Sequence, residues 1–347
     1  MRGLRKYLTP FAPDQSGAVS VLFELGGIVV ICDAGGCTGN VCGFDEPRWF
    51  EQKSAIFSAG LRDMDAILGR DDRLVAKLAD AARKVDATFA VVIGTPVPAV
   101  IATDYLALKR MSEKKINLPI LTVDTDGMEL YDKGEEKAFL ELFKTFATEK
   151  YPVEEGRIGI LGMTPQDVSD LGAAAKIRDL FQRKYEQRAI CYCMGEGLEE
   201  VKKSSSVSRN IVVSPAALAT AKYLEKTFGT PYEIYYPLVE DLIPEMDYTG
   251  KRILVVHQQV IADSIRKELL KRGTEAVQTA CWFMMKKELQ TDGDVILRDE
   301  DAYIELVQNG EFDIIFADEC MERMTPKFDG IFVNTRHFAV SGKLIGA

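Results

Sequence analysis

The chain is poor in the residues that most chemistry uses at neutral pH: 347 residues contain only two histidines, His257 and His337, and two tryptophans. Basic residues are also short, 43 Lys and Arg against 53 Asp and Glu, leaving a net charge of −10. Without a positive excess to neutralise phosphates, a general polyanion-binding role is disfavoured and nucleic acid is not expected as a partner. A run of about 18 apolar residues, the length that spans a bilayer, is absent. The basic start, Met-Arg-Gly-Leu-Arg-Lys-Tyr-Leu-Thr-Pro, lacks the apolar core of a signal peptide. These absences point to a cytoplasmic protein with no membrane partner. No Gly-x4-Gly-Lys-Ser/Thr loop occurs, since Ser341-Gly342-Lys343 lacks the upstream glycine. Gly195-Glu196-Gly197 likewise lacks the third glycine of a dinucleotide fingerprint, so neither ATP hydrolysis by a P-loop nor nicotinamide binding has a basis here.

What is present is an α/β pattern. Apolar runs at 28–31, 87–94 and 118–124 read as strands, the second as a central parallel strand covered on both faces, with helical stretches expected at 51–68, 72–84 and 99–115. Strand and helix alternate again at 157–228 and once more from 252 onward. This spacing predicts three Rossmann-like parallel-sheet domains, 1–150, 151–245 and 246–347, and ligands in such sheets bind beyond the carboxyl ends of the strands.

Seven cysteines, an odd number in a chain too long to need disulfide staples, favour reduced thiols or metal ligands. Three of them, Cys32, Cys37 and Cys42, follow the first strand at Cys-x4-Cys-x4-Cys spacing in a loop that also holds Gly35, Gly36, Gly39 and Gly43. The spacing is neither a zinc-ribbon knuckle nor a Cys-x-x-Cys redox pair. Soft thiolates suit an iron–sulfur cluster, and glycines let backbone close around one. Cys32, at the strand end, reads as a core residue, which leaves Cys37 and Cys42 as ligands and Gly36 and Gly43 as cofactor-contacting positions. A four-iron cluster normally takes four ligands. A twofold dimer would supply them from two copies of the pair, and Asp33 or Asp45 completing a single-chain site is the less symmetric option. Cys191, Cys193 and Cys281 read as core thiols. His257 and His337 are candidate proton donors in the loops after late strands, and Glu46, Arg48 and Arg62 are candidate docking charges.

The segment "GAVSVLFELGGIVVICDAGGC" resembles the amino-terminal cluster-binding segment of the nitrogenase component 1 family, whose members include protochlorophyllide reductases and the nickel-sirohydrochlorin reductive cyclase. "GTPVPAVIATD" at 94–104, "LPILTVDTDGM" at 118–128, "NIVVSPAALATAKYLEKTFGTPYE" at 210–233 and "RHFAVSG" at 336–342 are similar to further family segments. Cys37 matches the family's Gly-Cys ligand, but the other two ligand positions fall near Phe11 and Pro96, and Cys42 is an added thiol. The cysteine that anchors nitrogenase's catalytic cofactor falls near Ser214, so dinitrogen reduction is not implied. The resemblance implies an electron-transferring iron–sulfur oxidoreductase component with a [4Fe-4S] cluster bridging two subunits, as a homodimer or paralogous heterodimer handled anaerobically. It further implies a P-loop iron-protein reductase as electron donor and a small-molecule or tetrapyrrole-like substrate in a cleft lined by Ser214, His257 and His337. A non-catalytic scaffold or carrier for a cluster or cofactor precursor is the alternative, and a small-molecule-binding protein without metal is a third.

Overall fold

The computed structural model describes residues 5–52 and 54–345; the first four residues of the basic start, Lys53 and the last two residues lie outside the described residues. Three sheets follow one another along the chain, and every pairing in them is parallel. The first holds β1 (Ile28–Ile31), β2 (Ala55–Ser58), β3 (Ala90–Ile93) and β4 (Ile120–Val123) in the order β2-β1-β3-β4. The second holds β5 (Glu154–Leu161), β6 (Arg188–Cys191), β7 (Val207–Val212) and β8 (Tyr232–Ile234) in the order β6-β5-β7-β8. The third holds β9 (Arg252–Val256), β10 (Ala276–Cys281), β11 (Val295–Ile296), β12 (Ile314–Ala317) and β13 (Ile331–Asn334) in the order β11-β10-β9-β12-β13.

Parallel strands need crossovers on their faces, so their residues are buried on both sides and read as unbroken Val/Ile runs. β1 and β3 are buried throughout and pair in register, Ile28 with Ala90 through Ile31 with Ile93. Each sheet grows first to one side and then to the other, so each has one reversal of strand order. These fall between β1 and β3, between β5 and β7, and between β9 and β12. A crevice opens at such a point beyond the carboxyl ends, because the crossovers leave in opposite directions. The loop with Cys37 and Cys42 leaves β1 at the first crevice, Ser214 leaves β7 at the second, and His257 leaves β9 at the third.

The helices Asp14–Leu22 and Tyr131–Phe146 cross in backbone contact at two glycines. A Cβ at Gly17 would lie 1.9 Å from Tyr131 O, and one at Gly134 would lie 1.7 Å from Asp14 O. One hydrophobic core runs from the first sheet through Phe139, Leu142 and Phe143 of the second of these helices to Tyr192, Val212 and Leu224 around the second sheet. Another joins the second and third sheets, with Ile160 and Ile211 on one side and Ile253 and Phe316 on the other.

Two helical expectations are corrected. The stretch 51–68 contains the strand β2, and its helix is confined to Asp63–Leu68. Ala55-Ile-Phe-Ser is only four residues long and lies at the sheet edge, too short for its period to separate strand from helix. The stretch 99–115 is two helices, Pro96–Val100 and Tyr105–Glu113, because Asp104 caps the second by accepting from Leu106 N and Ala107 N, both at 3.0 Å. Cys32, Cys191, Cys193 and Cys281 are buried, as core thiols should be. Cys193 lies in the turn after β6 with φ 65°, and it packs in a different core cluster from Cys191.

Candidate functional site

The loop after β1 is built as a braced double turn. Gly35 has φ 121°, a conformation open to glycine, and it reverses the chain into the short helix Gly36–Asn40. Asp33 anchors the start of that helix: its carboxylate accepts from Thr38 N (2.8 Å), Thr38 Oγ1 (3.0 Å) and Ser58 Oγ (2.6 Å). The helix then widens into a turn at Val41–Asp45, closed where Glu46 N donates to Val41 O five residues back at 2.9 Å. Such wide turns recur at functional sites, because the extra residue redirects the side chains that follow. Asp45 braces the far end, accepting from Ser16 Oγ and Asn40 Nδ2, both at 2.7 Å, while its carbonyl accepts from Gln166 Nε2 at 2.5 Å. Cys37 sits on the first turn and Cys42 on the second, both half-buried and unpaired.

Glu46 and Arg48 are not docking charges. Both are 1% exposed, because the guanidinium is folded inward onto the Glu46 carboxylate at 2.7 Å from Nε and 2.7 Å from Nη2. Arg48 also donates to Glu24 Oε1 at 2.8 Å, Ser20 O at 2.6 Å and Cys193 O at 3.3 Å. Burial works against its charge, but Glu46 and then Glu24 outweigh it, so its pKa is raised. One buried cation thus ties the cysteine loop to the Asp14–Leu22 helix and to the second sheet. The sequence signal for it was available: Glu-Pro-Arg places an acid two residues before a base at a proline-started turn.

The thiols lie in an environment that resists ionisation. Burial, then the charge of Asp33, raises the Cys37 thiol, with the Thr95 hydroxyl and loop backbone offsetting part; burial, then Glu46 and Asp33, raises Cys42. A thiolate-binding group has to displace both protons, so its binding releases acid. There is room for such a group: a Cβ built at Gly36, Gly39 or Gly43 meets nothing within 4 Å. Near Gly127, Gln15 is 4% exposed and its Oε1 has no hydrogen-bond partner. Among the described residues no three of His, Cys, Asp and Glu are grouped as a metal-ion site. Asp33 and Asp45 are already engaged by this chain's own hydroxyls and amides. The residues therefore fit a cluster as a pair of thiols presented by one chain. Of the two other family-like ligand positions, Pro96 starts the helix after β3, whereas Phe11 packs on Trp282 and Phe283 with ring centroids 5.8 and 5.0 Å away.

The structure brings His257 and His337 together. Their rings stack at 4.3 Å between centroids and 7° between planes, with 3% and 1% exposure. They meet at the junction of the three sheets with Tyr131, whose hydroxyl donates to Asp167 at 2.5 Å and lies 3.1 Å from His337 Nε2. Burial, then His337, pushes His257 well below 6.5. On the same helix as Tyr131, burial raises Asp132 to about 6 and Glu135 well above 4.5. Glu135 accepts from Thr164 Oγ1 at 2.5 Å, while Glu135 Oε2 and Asp167 Oδ2 lack partners. Ser214, 1% exposed, is spent on capping: its Oγ accepts from Ala216 N at 3.3 Å. Sequence reasoning missed Tyr131, Glu135 and Asp167, which carry no motif and meet only because the segments after two separate strands, β4 and β5, converge.

Solved structures titled "Nitrogenase Cp1 at pH 6.5" and "Nitrogenase Cp1 at pH 5" share this fold. The first aligns with TM-score 0.71 over 96% of this chain and 87% of that one at 12% identity. The second gives 0.68 over 96% and 84% at 15% identity. No match is found among curated proteins. The profile of the Nitrogenase component 1 type Oxidoreductase family matches residues 14–240, and the chain belongs to that family. Membership assigns an oxidoreductase-type role in a family whose proteins bind metal–sulfur clusters. No described helix is long and apolar enough to cross a membrane.

Proposed function

We propose that the chain is the cluster-carrying component of a nitrogenase-like reductase in the cytoplasm. It works as a dimer, of identical or paralogous chains, in which Cys37 and Cys42 of each subunit together hold one [4Fe-4S] cluster. When bound, the cluster supplies a one-electron store for reducing a small molecule. Electrons come from a separate P-loop iron-protein reductase, because this chain has no P-loop of its own. The observation that carries the reading is the braced double turn: two half-buried thiols, open space at Gly36 and Gly43, and a switch-point position beyond β1 and β3. Asp33 and Asp45 fix the turn rather than fill it, so the thiols stand in place before any metal arrives.

With the chain divided into units 1–150, 151–245 and 246–347, as we propose, the loop belongs to the first unit and the histidine pair lies where all three meet. Stacked and sealed, His257 and His337 can hold or pass a proton within the junction but reach a substrate only if it opens, and Ser214 serves its helix. That sealing favours a second reading, in which the protein carries a cluster or cofactor precursor and hands it on without turnover.

Anaerobic purification with iron and sulfide analysis and electron paramagnetic resonance tests the cluster. About four iron atoms per dimer are expected, falling sharply in Cys37→Ala and Cys42→Ala. Iron-free protein after anaerobic reconstitution, or iron content unchanged by both substitutions, overturns it. Release of the iron to an acceptor protein, with no electron consumption from the iron-protein donor, decides for the carrier.

A further inference from the structure

A cleft of about 620 Å³ separates the segment after Cys42 from the carboxyl-end loops of the third sheet. One wall carries Phe44 and Phe50, each 77% exposed; the other carries Phe338 with Arg336, Glu319 and Lys343. The volume lies in the range of small-molecule sites. The wall chemistry is specific in two respects. Two aromatic rings stand in solvent, where large apolar groups are normally covered. And the charges are unevenly engaged: Lys343 pairs with Glu319 and also feels Asp318, whose carboxylate accepts from His337 N and Ser341 Oγ, while Glu46 is consumed by Arg48. The Arg336 guanidinium gives an N–H to the Leu344 carbonyl rather than to a carboxylate, which leaves it the cation of the cleft best placed for an anion.

We propose that this cleft is a binding site for a small organic anion with a flat apolar body, the anionic group held by Arg336 and Lys343 and the body stacked between the phenylalanines. A guanidinium offers a planar fork for a carboxylate, and a second cation beside it steers the anion without needing contact geometry. Phenylalanine faces supply apolar area and accept stacking, and they add nothing for a fully hydrated ion such as phosphate. The site is formed by this chain alone and does not depend on metal in the thiol loop. The position next to Cys42 would put such a ligand beside the proposed cluster.

The probe is 2-naphthoate, with naphthalene-2-carboxamide as its neutral isostere, titrated by calorimetry into the full chain. Saturable binding of the carboxylate about tenfold or more tighter than of the amide is expected, the preference being one charge-assisted contact. Arg336→Gln should abolish the preference while leaving amide binding, and Lys343→Gln, at a surface position where folding is secure, should reduce it. Phe44→Ala should weaken both probes. Equal binding of the two probes, no saturable binding, or a preference unchanged in Arg336→Gln and Lys343→Gln overturns the site. Binding seen only in monomeric fractions overturns it too, by assigning the aromatic walls to a second copy. Iron analysis of the same wild-type protein separates the two readings: no carboxylate preference in protein that binds iron overturns the cleft alone, and a preference retained in protein that stays iron-free after anaerobic reconstitution overturns the cluster alone.

Discussion

Glu135 occupies a fully buried position with one carboxylate oxygen bonded to Thr164 and the other bare. Burial, then the charge of Asp167, holds its pKa well above 4.5, so the fold keeps a proton that the unfolded chain releases. Between the unfolded and folded values the native state binds more protons, and stability falls as pH rises through that window. Glu135→Gln removes the ionisation and retains an oxygen for Thr164. The variant and wild type should be level near pH 4, and the variant should gain about 1.4 kcal/mol per pH unit above the unfolded value, as read from urea unfolding at a series of pH values. A residual slope persists through Asp132, raised to about 6 by burial. His257 acts in the opposite sense: its depressed pKa makes the unfolded state bind more protons below 6.5, so acidification destabilises the junction. A flat difference between the two proteins across pH would mean that Glu135 is ionised in the fold.

At the scale of elements, the Asp14–Leu22 and Tyr131–Phe146 helices depend on two missing side chains. Gly134→Ala would drive a methyl into Asp14 O, and since both contacts are backbone, neither can rotate away. Overpacking of this kind costs about 1–3 kcal/mol. A lowered thermal midpoint is expected, with the loss of Ser16 support at Asp45 seen as faster thiol labelling of Cys42; an unchanged midpoint would show that the helices separate freely. The sequence exposed the central strands of all three sheets, because burial on both faces leaves Val/Ile runs that no surface element imitates. It exposed less of what lies between them. The Tyr131–Phe146 helix passes between two cores, so its apolar stripe is interrupted by Asp132 and Glu135, whose partners come from residues 164 and 284. The thiol pair was legible from glycine and cysteine alone. Its braces were not, since Asp33 to Ser58, Asp45 to Ser16 and Arg48 to Glu24 are tertiary pairings, and Arg48, sealed in the interior, had looked like a surface charge.

At the scale of the molecule, the proposed dimer needs a face, and the first sheet has one. Its strands are parallel, so the segments leaving β2, β3 and β4 emerge on the edge where the thiol loop leaves β1. Those segments expose Ile67, Leu68, Val100, Leu106 and Met128, with Val100 at 85%. Scattered apolar residues need no partner, but several on one edge beside a half-complete ligand set suit a twofold axis, where each chain's two thiols meet the other's. Val100→Asp places a carboxylate in that contact. Burying an unpaired charge costs about 3 kcal/mol or more, and a twofold axis applies it twice, so dimer affinity should fall by ~10,000-fold or more. Sedimentation velocity should show folded monomer, and iron content should fall with the dimer although no ligand has been touched. Val153→Asp, an exposed apolar position before β5, is the matched control and should leave both readings unchanged. A Val100→Asp monomer that keeps its iron would place the whole cluster in one chain, and an undisturbed dimer would put the axis on another face.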